Sequence, residues 1–426
     1  MAVLAPPLPI NAMLDFSKPD TPKSALTPEQ LKRKKRRQGL FNVSLSLGLV
    51  LWLKGADWFN SFSSKADSLQ LPWLGLLLLW LPLLLSATFL AVLIHEIGHI
   101  SGALLADFKI VEFNTGVLLL ERKPDGWKTR LQKFSYNMVG KVRGYTTNYE
   151  HLRRRYILVV ASGPTVNLLS GGFALLLLAT LPALQSSPAE STLLKYLFTS
   201  FFSVFGWISV LLGVIGFIPL TTTSGDIPNG LMLLHLLRRD KAMYQQLFLL
   251  QLSGDSYAGI RPRLWKDELI SSLLSYSSET ISNNVLDCYA HCWAYAYFDD
   301  CHDFEKAQLH LNEAIERKDI ASASVQQYLF CEAACIAVLQ TNNAAQARLW
   351  LNQARQVKPF TEQEGLFAQA AVTWAEGNSA EAGVFLRAAH KQLQNSITSG
   401  FNIQAAERIH DLQSKIEQIP FITASA

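Results

Sequence analysis

Residues 93–102 read LIHEIGHISG, and they close a run of apolar residues that begins near Leu71. His95 and His99 are four apart, about one helical turn, so both imidazoles project from one face. Glu96 sits about 100° further round the same helix. Ionisable groups at the centre of a membrane span cost about 2.5–3.5 kcal/mol each, so three of them point to a chemical use. The spacing suits two histidines binding one zinc ion, with the glutamate free to act as base toward a metal-bound water. Zinc lowers the pKa of that water from about 15.7 to about 7, which suits attack on an amide. The competing reading is a satisfied polar cluster that holds helices together. Two histidines also leave a tetrahedral site incomplete, so a third protein ligand must come from another segment.

The 426 residues are 49% hydrophobic and 17% charged, a balance that fits a partly membrane-embedded chain of two or three domains. The net charge of +4 is mild, and no basic face interleaved with aromatics marks a nucleic-acid partner. All five cysteines lie between Cys288 and Cys335. An odd number confined to one helical region argues against a secreted disulfide framework. The pairs Cys288/Cys292 and Cys331/Cys335 have helical spacing, which holds β-carbons about 5–6 Å apart, too far for a relaxed disulfide. They read as small core residues; a metal site in CYAHC is the lesser reading.

The chain divides into four parts. Residues 1–38 form a Pro-rich leader, expected to be disordered, that ends in the basic cluster Lys32–Arg37. Residues 39–236 hold four apolar blocks, Gly39–Leu53, Leu71–Ile94, Tyr156–Leu184 and Leu197–Leu220, which predict a polytopic bundle of about four spans. Between Asp107 and Arg155 eleven Lys or Arg face five acids, and this surplus predicts that the segment lies in the cytoplasm. The N-terminus and everything after Leu220 then share that side. The protein is expected to be an integral, multi-pass membrane protein in contact with lipid, with a bacterial inner membrane favoured. KIVEFNTGVLLLE (109–121) alternates enough to predict a small membrane-associated β segment.

Residues 237–283 read as a helical linker. From 284 to 426 the texture is that of soluble helices with an internal repeat. HDFEKAQLHLNEA (302–314), NAAQARLWLNQA (343–354) and SAEAGVFLRAA (379–389) align Ala307, Ala347 and Ala382, then Leu311, Leu351 and Leu386, then Ala314, Ala354 and Ala389. Such units resemble tetratricopeptide repeats, whose stacking implies a concave face for a protein partner. An ordinary helical bundle is the alternative. The fold class expected is mainly α, a membrane bundle with a small β segment followed by a helical repeat domain.

For the third zinc ligand the candidate is Asp226, in the irregular loop after the last span. Its other reading is a cap for the helix beginning near Pro228. The third apolar block carries ASGPTVNLLSGG (161–172). Gly163, Asn167 and Gly171 share one face there, and Pro164 removes a backbone hydrogen bond. Asn167, with Gly163 and Pro164, reads either as a contact to an extended substrate or its oxyanion, or as small-residue packing.

HEIGH in one span, SGPTVN in a later one and an aspartate after the last together resemble the site-2 proteases, over roughly residues 83–236. That resemblance implies a zinc metalloendopeptidase hydrolysing transmembrane segments of membrane-protein substrates. It also implies that His95, His99 and an aspartate bind the ion, that Glu96 is the catalytic base and that Asn167 contacts substrate. One departure stands out. The family's Asp-Gly before an apolar helix is here Asn229-Gly230, with Asp226 three residues earlier. If Asn229 takes the ligand position, the alternative is a catalytically inactive scaffold that presents the repeats to a protein partner. A transporter is weaker, because four spans show no inverted repeat.

Overall fold

The computed structural model describes residues 73–131, 140–180, 193–220, 227–277, 284–357, 360 and 363–418. The leader, the first apolar block and Asp226 lie outside the described residues. The described residues are mainly helical, with thirteen α-helices and one small sheet among them. Among the described residues three helices are long and apolar enough to cross a membrane: α1 (Trp73–Leu105), α2 (Leu152–Thr180) and α3 (Leu193–Phe217). The apolar stretch of α1, Trp80–Leu105, puts His95 about 15 Å from its C-terminal end at 1.5 Å per residue.

Small residues let these helices approach closely. A β-carbon on Gly98 would stand 2.9 Å from the Gly163 α-carbon, and one on Gly213 would stand 2.8 Å from the Pro164 carbonyl. Ala87, Ala91, Ala174 and Phe205 are buried where the three helices meet. Away from that contact, Leu81, Leu85, Leu169, Phe173 and Leu176 are exposed. Apolar side chains facing outward around small residues facing inward is the pattern that hydrocarbon surroundings require.

At the end of α1 the chain turns through Asp107, at φ 56°, into β1 (Lys109–Asn114), β2 (Leu118–Lys123), β3 (Gly126–Leu131) and β4 (Lys141–Tyr145). The four strands form an antiparallel sheet in the order β3-β2-β1-β4, with an irregularity between Ile110 and Glu112. Arg155, in the first turn of α2, donates to the carbonyls of Ala106 at 2.7 Å and Asp107 at 3.0 Å. A guanidinium on these otherwise orphaned carbonyls closes the end of α1 and pins the sheet to the bundle.

Two short helices follow the bundle, α4 (Asn229–Arg238) and α5 (Lys241–Tyr257). The Tyr149 hydroxyl donates to Asp255 at 2.6 Å, and Arg153 donates to the Leu236 carbonyl at 2.9 Å, so both helices are tied to the sheet side of the bundle. Next come a 3-10 turn (Pro262–Leu264) and α6 (Asp267–Ser275). Among the described residues three helix pairs and a last helix follow: α7 (Val285–Asp300) with α8 (Phe304–Glu316), α9 (Ala323–Leu339) with α10 (Ala344–Val357), α11 (Gln363–Ala375) with α12 (Ser379–Gln394), then α13 (Gly400–Gln418). The alanines and leucines at 307, 311, 314, 347, 351, 354, 382, 386 and 389 are all buried on the second helices of these pairs. Of the cysteines, 288, 292, 331 and 335 are buried and Cys301 is exposed, and none is joined in a disulfide.

Candidate metal centre

The site is assembled where α1, α2 and the start of α4 meet. His95 and His99 lie one turn apart on α1, with their Nε2 atoms 3.2 Å apart. His99 donates Nδ1–H to the Val159 carbonyl of α2 at 2.8 Å. A carbonyl can only accept, so a neutral His99 keeps its lone pair on Nε2, facing His95. His95 Nδ1 lies 3.2 Å from the Asn167 side-chain amide nitrogen. Asn167 is fully buried, and its Oδ1 is one of the few buried side-chain oxygens without a partner among the described residues. Exchanging the two isosteric ends of that amide lets Oδ1 accept Nδ1–H of His95 and turns the His95 lone pair toward its neighbour as well.

The third corner is Asn229. Its side-chain amide nitrogen lies 3.0 Å from His99 Nε2 and 3.3 Å from His95 Nε2. Asn229 opens α4 directly after Pro228. Gly230 makes this approach possible, since a β-carbon there would sit 2.6 Å from the Phe217 carbonyl carbon at the end of α3. Gly163 is equally constrained, because a β-carbon would run into the His99 imidazole.

Three edges of 3.0, 3.2 and 3.3 Å make a nearly equilateral triangle, with an angle of about 60° at the amide. An NH2 group spreads its two hydrogens by about 120°, so it cannot aim both at lone pairs half that angle apart. Hydrogen bonding alone fits the triangle poorly. A tetrahedral zinc ion with ligand distances of 2.0–2.1 Å holds its ligand atoms about 3.3 Å from one another, which is the spacing found. With the amide oxygen turned inward, His95, His99 and Asn229 fit a divalent cation in geometry. The donor set departs in charge, being neutral throughout. Among the described residues no three His, Cys, Asp or Glu side chains gather at one point.

Glu96 is 5% exposed, and its carboxylate lies against Gly140 at the start of β4, where a β-carbon would collide with it. Gly140 has φ 73°, so both backbone and space exclude larger residues. Gly140, just before β4, thus packs directly on the Glu96 carboxylate.

The structure brings together His95, His99, Asn167, Gly163 and Asn229, while Asp226 falls outside the described residues. Asn167, Gly163 and Pro164 were candidates for substrate contact. Each is buried: Asn167 against His95, Gly163 against His99, and Pro164 where α2 meets Gly213 and Gly216. Sequence reasoning missed Gly140 and the Val159 carbonyl. A backbone acceptor leaves no signature in residue type, and a lone glycine in a polar segment resembles any turn. Comparison with family models, curated proteins and solved structures returns no match for this chain.

Proposed function

We propose that the chain is a zinc-dependent intramembrane endopeptidase of the site-2 protease kind, which hydrolyses peptide bonds in the transmembrane segments of other membrane proteins. The observation that carries this reading is the His95–His99–Asn229 triangle, with the buried Glu96 carboxylate one residue from its first corner. A zinc ion held there supplies Lewis acidity, making water nucleophilic near neutral pH and polarising a carbonyl. Glu96 takes the proton of the attacking water and returns it to the departing amine nitrogen. Val159 and Asn167 hold the imidazoles in the tautomer that leaves Nε2 free. A helical substrate hides its amides in internal hydrogen bonds, so it must unwind locally before its carbonyl can be reached. Substrate spans with Gly or Pro should be cut faster than a polyleucine span.

The basic surplus of 107–155 supports a cytoplasmic position for the sheet, and with it for everything after α3. Burial of the aligned alanines and leucines on three successive helix pairs supports a tetratricopeptide-like stack in 284–426 that binds a protein partner. A second reading is favoured by one feature. The neutral amide of Asn229 binds a cation less strongly than a carboxylate, as expected of an inactive scaffold that displays the helix pairs.

The test is zinc content together with cleavage of a transmembrane reporter. It compares the wild type with Glu96→Gln, Asn229→Ala and Asp226→Ala, all in detergent micelles. Cleavage lost with zinc kept in Glu96→Gln supports the peptidase, and zinc lost in only one of the other two identifies the third ligand. Wild-type protein that holds zinc in no preparation and cuts nothing leaves the scaffold.

A further inference from the structure

Of three successive arginines in the first turn of α2, two serve the fold. Arg153 donates to the Leu236 carbonyl at 2.9 Å, and Arg155 donates to the carbonyls of Ala106 and Asp107. Arg154 between them is exposed and has no ion pair among the described residues. The bond from Arg153 brings the start of α2 to the end of α4, where Arg238 and Arg239 are exposed and equally without an ion pair among the described residues. Packing of Ile157 and Val160 on Met232 and Leu236 fixes the two helix ends together. Asp240, the acid next in sequence, is already engaged: its carboxylate accepts from His235 Nδ1 at 2.6 Å and from the Met243 amide at 3.1 Å. The result is a patch of exposed guanidinium groups drawn from two distant segments of the chain.

Arg239 ends α4 at φ 56°, a left-handed backbone that glycine or asparagine adopts at less cost, so the geometry of the helix end does not call for an arginine. Apolar surface adjoins the patch. Arg154 heads a row of exposed side chains, Leu158, Leu169, Phe173 and Leu176, that recurs at helical turns along α2, one of the helices long and apolar enough to cross a membrane. Leu237, beside Arg238, is exposed as well. A cation that closes an exposed apolar row follows the order of a phospholipid, acyl chain first and phosphate at its end.

We propose that Arg154, Arg238 and Arg239 form a binding site for the phosphate of an anionic phospholipid, whose acyl chain lies along Leu158 and the exposed row of α2. The planar guanidinium suits a phosphate because it donates two parallel hydrogen bonds to neighbouring oxygens. The inference rests on α2 crossing a bilayer and is independent of peptidase activity. Lipid held there joins the start of α2 to the end of α4, and α4 opens with Asn229, the third corner of the candidate metal centre. The site therefore steadies the helix that presents Asn229, and a bilayer of neutral lipid leaves that support out.

The experiment uses the full chain in detergent micelles with fluorescent phosphatidylglycerol and phosphatidylcholine of matched acyl chains. Wild type should bind phosphatidylglycerol at least about tenfold more tightly than phosphatidylcholine. Arg154→Gln with Arg238→Gln and Arg239→Gln, all at exposed positions, should bring that ratio to within about twofold. Lys128→Gln with Arg130→Gln on the equally exposed β3 should leave the ratio as in wild type. Inorganic phosphate in about tenfold excess should not displace the lipid, since it brings no acyl chain to the apolar row. Equal affinity of the wild type for the two lipids overturns the proposal without reference to any variant. The same loss in the β3 variant makes the attraction a property of net charge and overturns it too, as does displacement by phosphate alone, which assigns the patch to a free anion.

Discussion

His99 donates its Nδ1–H to the carbonyl of Val159 at 2.8 Å, and this one bond fixes which ring nitrogen faces Asn229. The bond joins α1 to α2, so packing of two helices sets the tautomer of a candidate ligand. Gly98 and Gly163 allow the approach that makes the bond short enough. Helix packing and metal chemistry are in this sense one problem, because loosening the α1–α2 contact would free the imidazole to rotate.

Asn167 should do for His95 what Val159 does for His99. Outer-shell groups that orient a ligating histidine contribute roughly 10–100-fold to metal affinity. Asn167→Ala should therefore weaken zinc binding by about that factor, measured against a chromophoric chelator, while Asn167→Asp should keep it. An alanine variant with wild-type affinity would reduce the residue to helix packing.

Asn229 is the weakest member of the candidate ligand set, since it brings no charge to a site of low dielectric. Asn229→Asp should raise zinc affinity by more than about tenfold, and Asn229→Ala should lower it. If the aspartate leaves affinity unchanged, position 229 does not touch the ion.

Gly171 and Gly172 are sequence neighbours with opposite surroundings. A β-carbon on Gly171 would lie 2.6 Å from the Gly206 carbonyl and 2.8 Å from the Val210 nitrogen, whereas one on Gly172 meets nothing within 4 Å. Gly171→Ala should force α2 and α3 apart and cost about 1–3 kcal/mol, while Gly172→Ala should be neutral or gain up to about 1 kcal/mol from helix propensity. Thermal unfolding of both variants in one detergent separates them. Equal effects would mean that α2 and α3 do not pack as described.

Much of this arrangement was legible before any coordinates. The 3.6-residue period put His95 and His99 on one face, and the apolar blocks gave α1, α2 and α3. The alternation in 109–121 gave the β1–β2 hairpin, and recurrent Ala and Leu marked buried positions on α8, α10 and α12. What could not be read was convergence between distant segments. Asn167 was weighed as a substrate contact because its one-dimensional setting, an amide in an apolar span, is the same whether it meets a ligand or a histidine. That Asn229 approaches both imidazoles depends on Gly230 fitting against the end of α3, a matter of register between helices that no periodicity encodes. The linker 237–283 likewise looked like a connector, yet Leu252, Trp265, Ile270 and Leu273 are buried with α7 residues in one core.

His291 of α7 and His310 of α8 lie with their Nδ1 atoms 3.1 Å apart and should make the helical region sensitive to acid. Burial, then His310 and Arg317, lower the His291 pKa to about 4, with Glu313 and Asp287 opposing them. Burial and Lys306 lower His310 also, again against Glu313. Both folded-state values lie below the unfolded value of about 6.5, so the unfolded chain takes up protons first as pH falls. Stability from this pair is complete above about pH 6.5 and declines toward about pH 4, by up to about 1.4 kcal/mol per pH unit for each proton involved. His291→Gln should flatten the fall in melting temperature between pH 7 and pH 5 relative to wild type, and carboxylates common to both proteins cancel in that comparison. Parallel pH profiles for the two proteins would show that the imidazoles titrate alike in the folded and unfolded chain, and the pair would then carry no acid sensitivity.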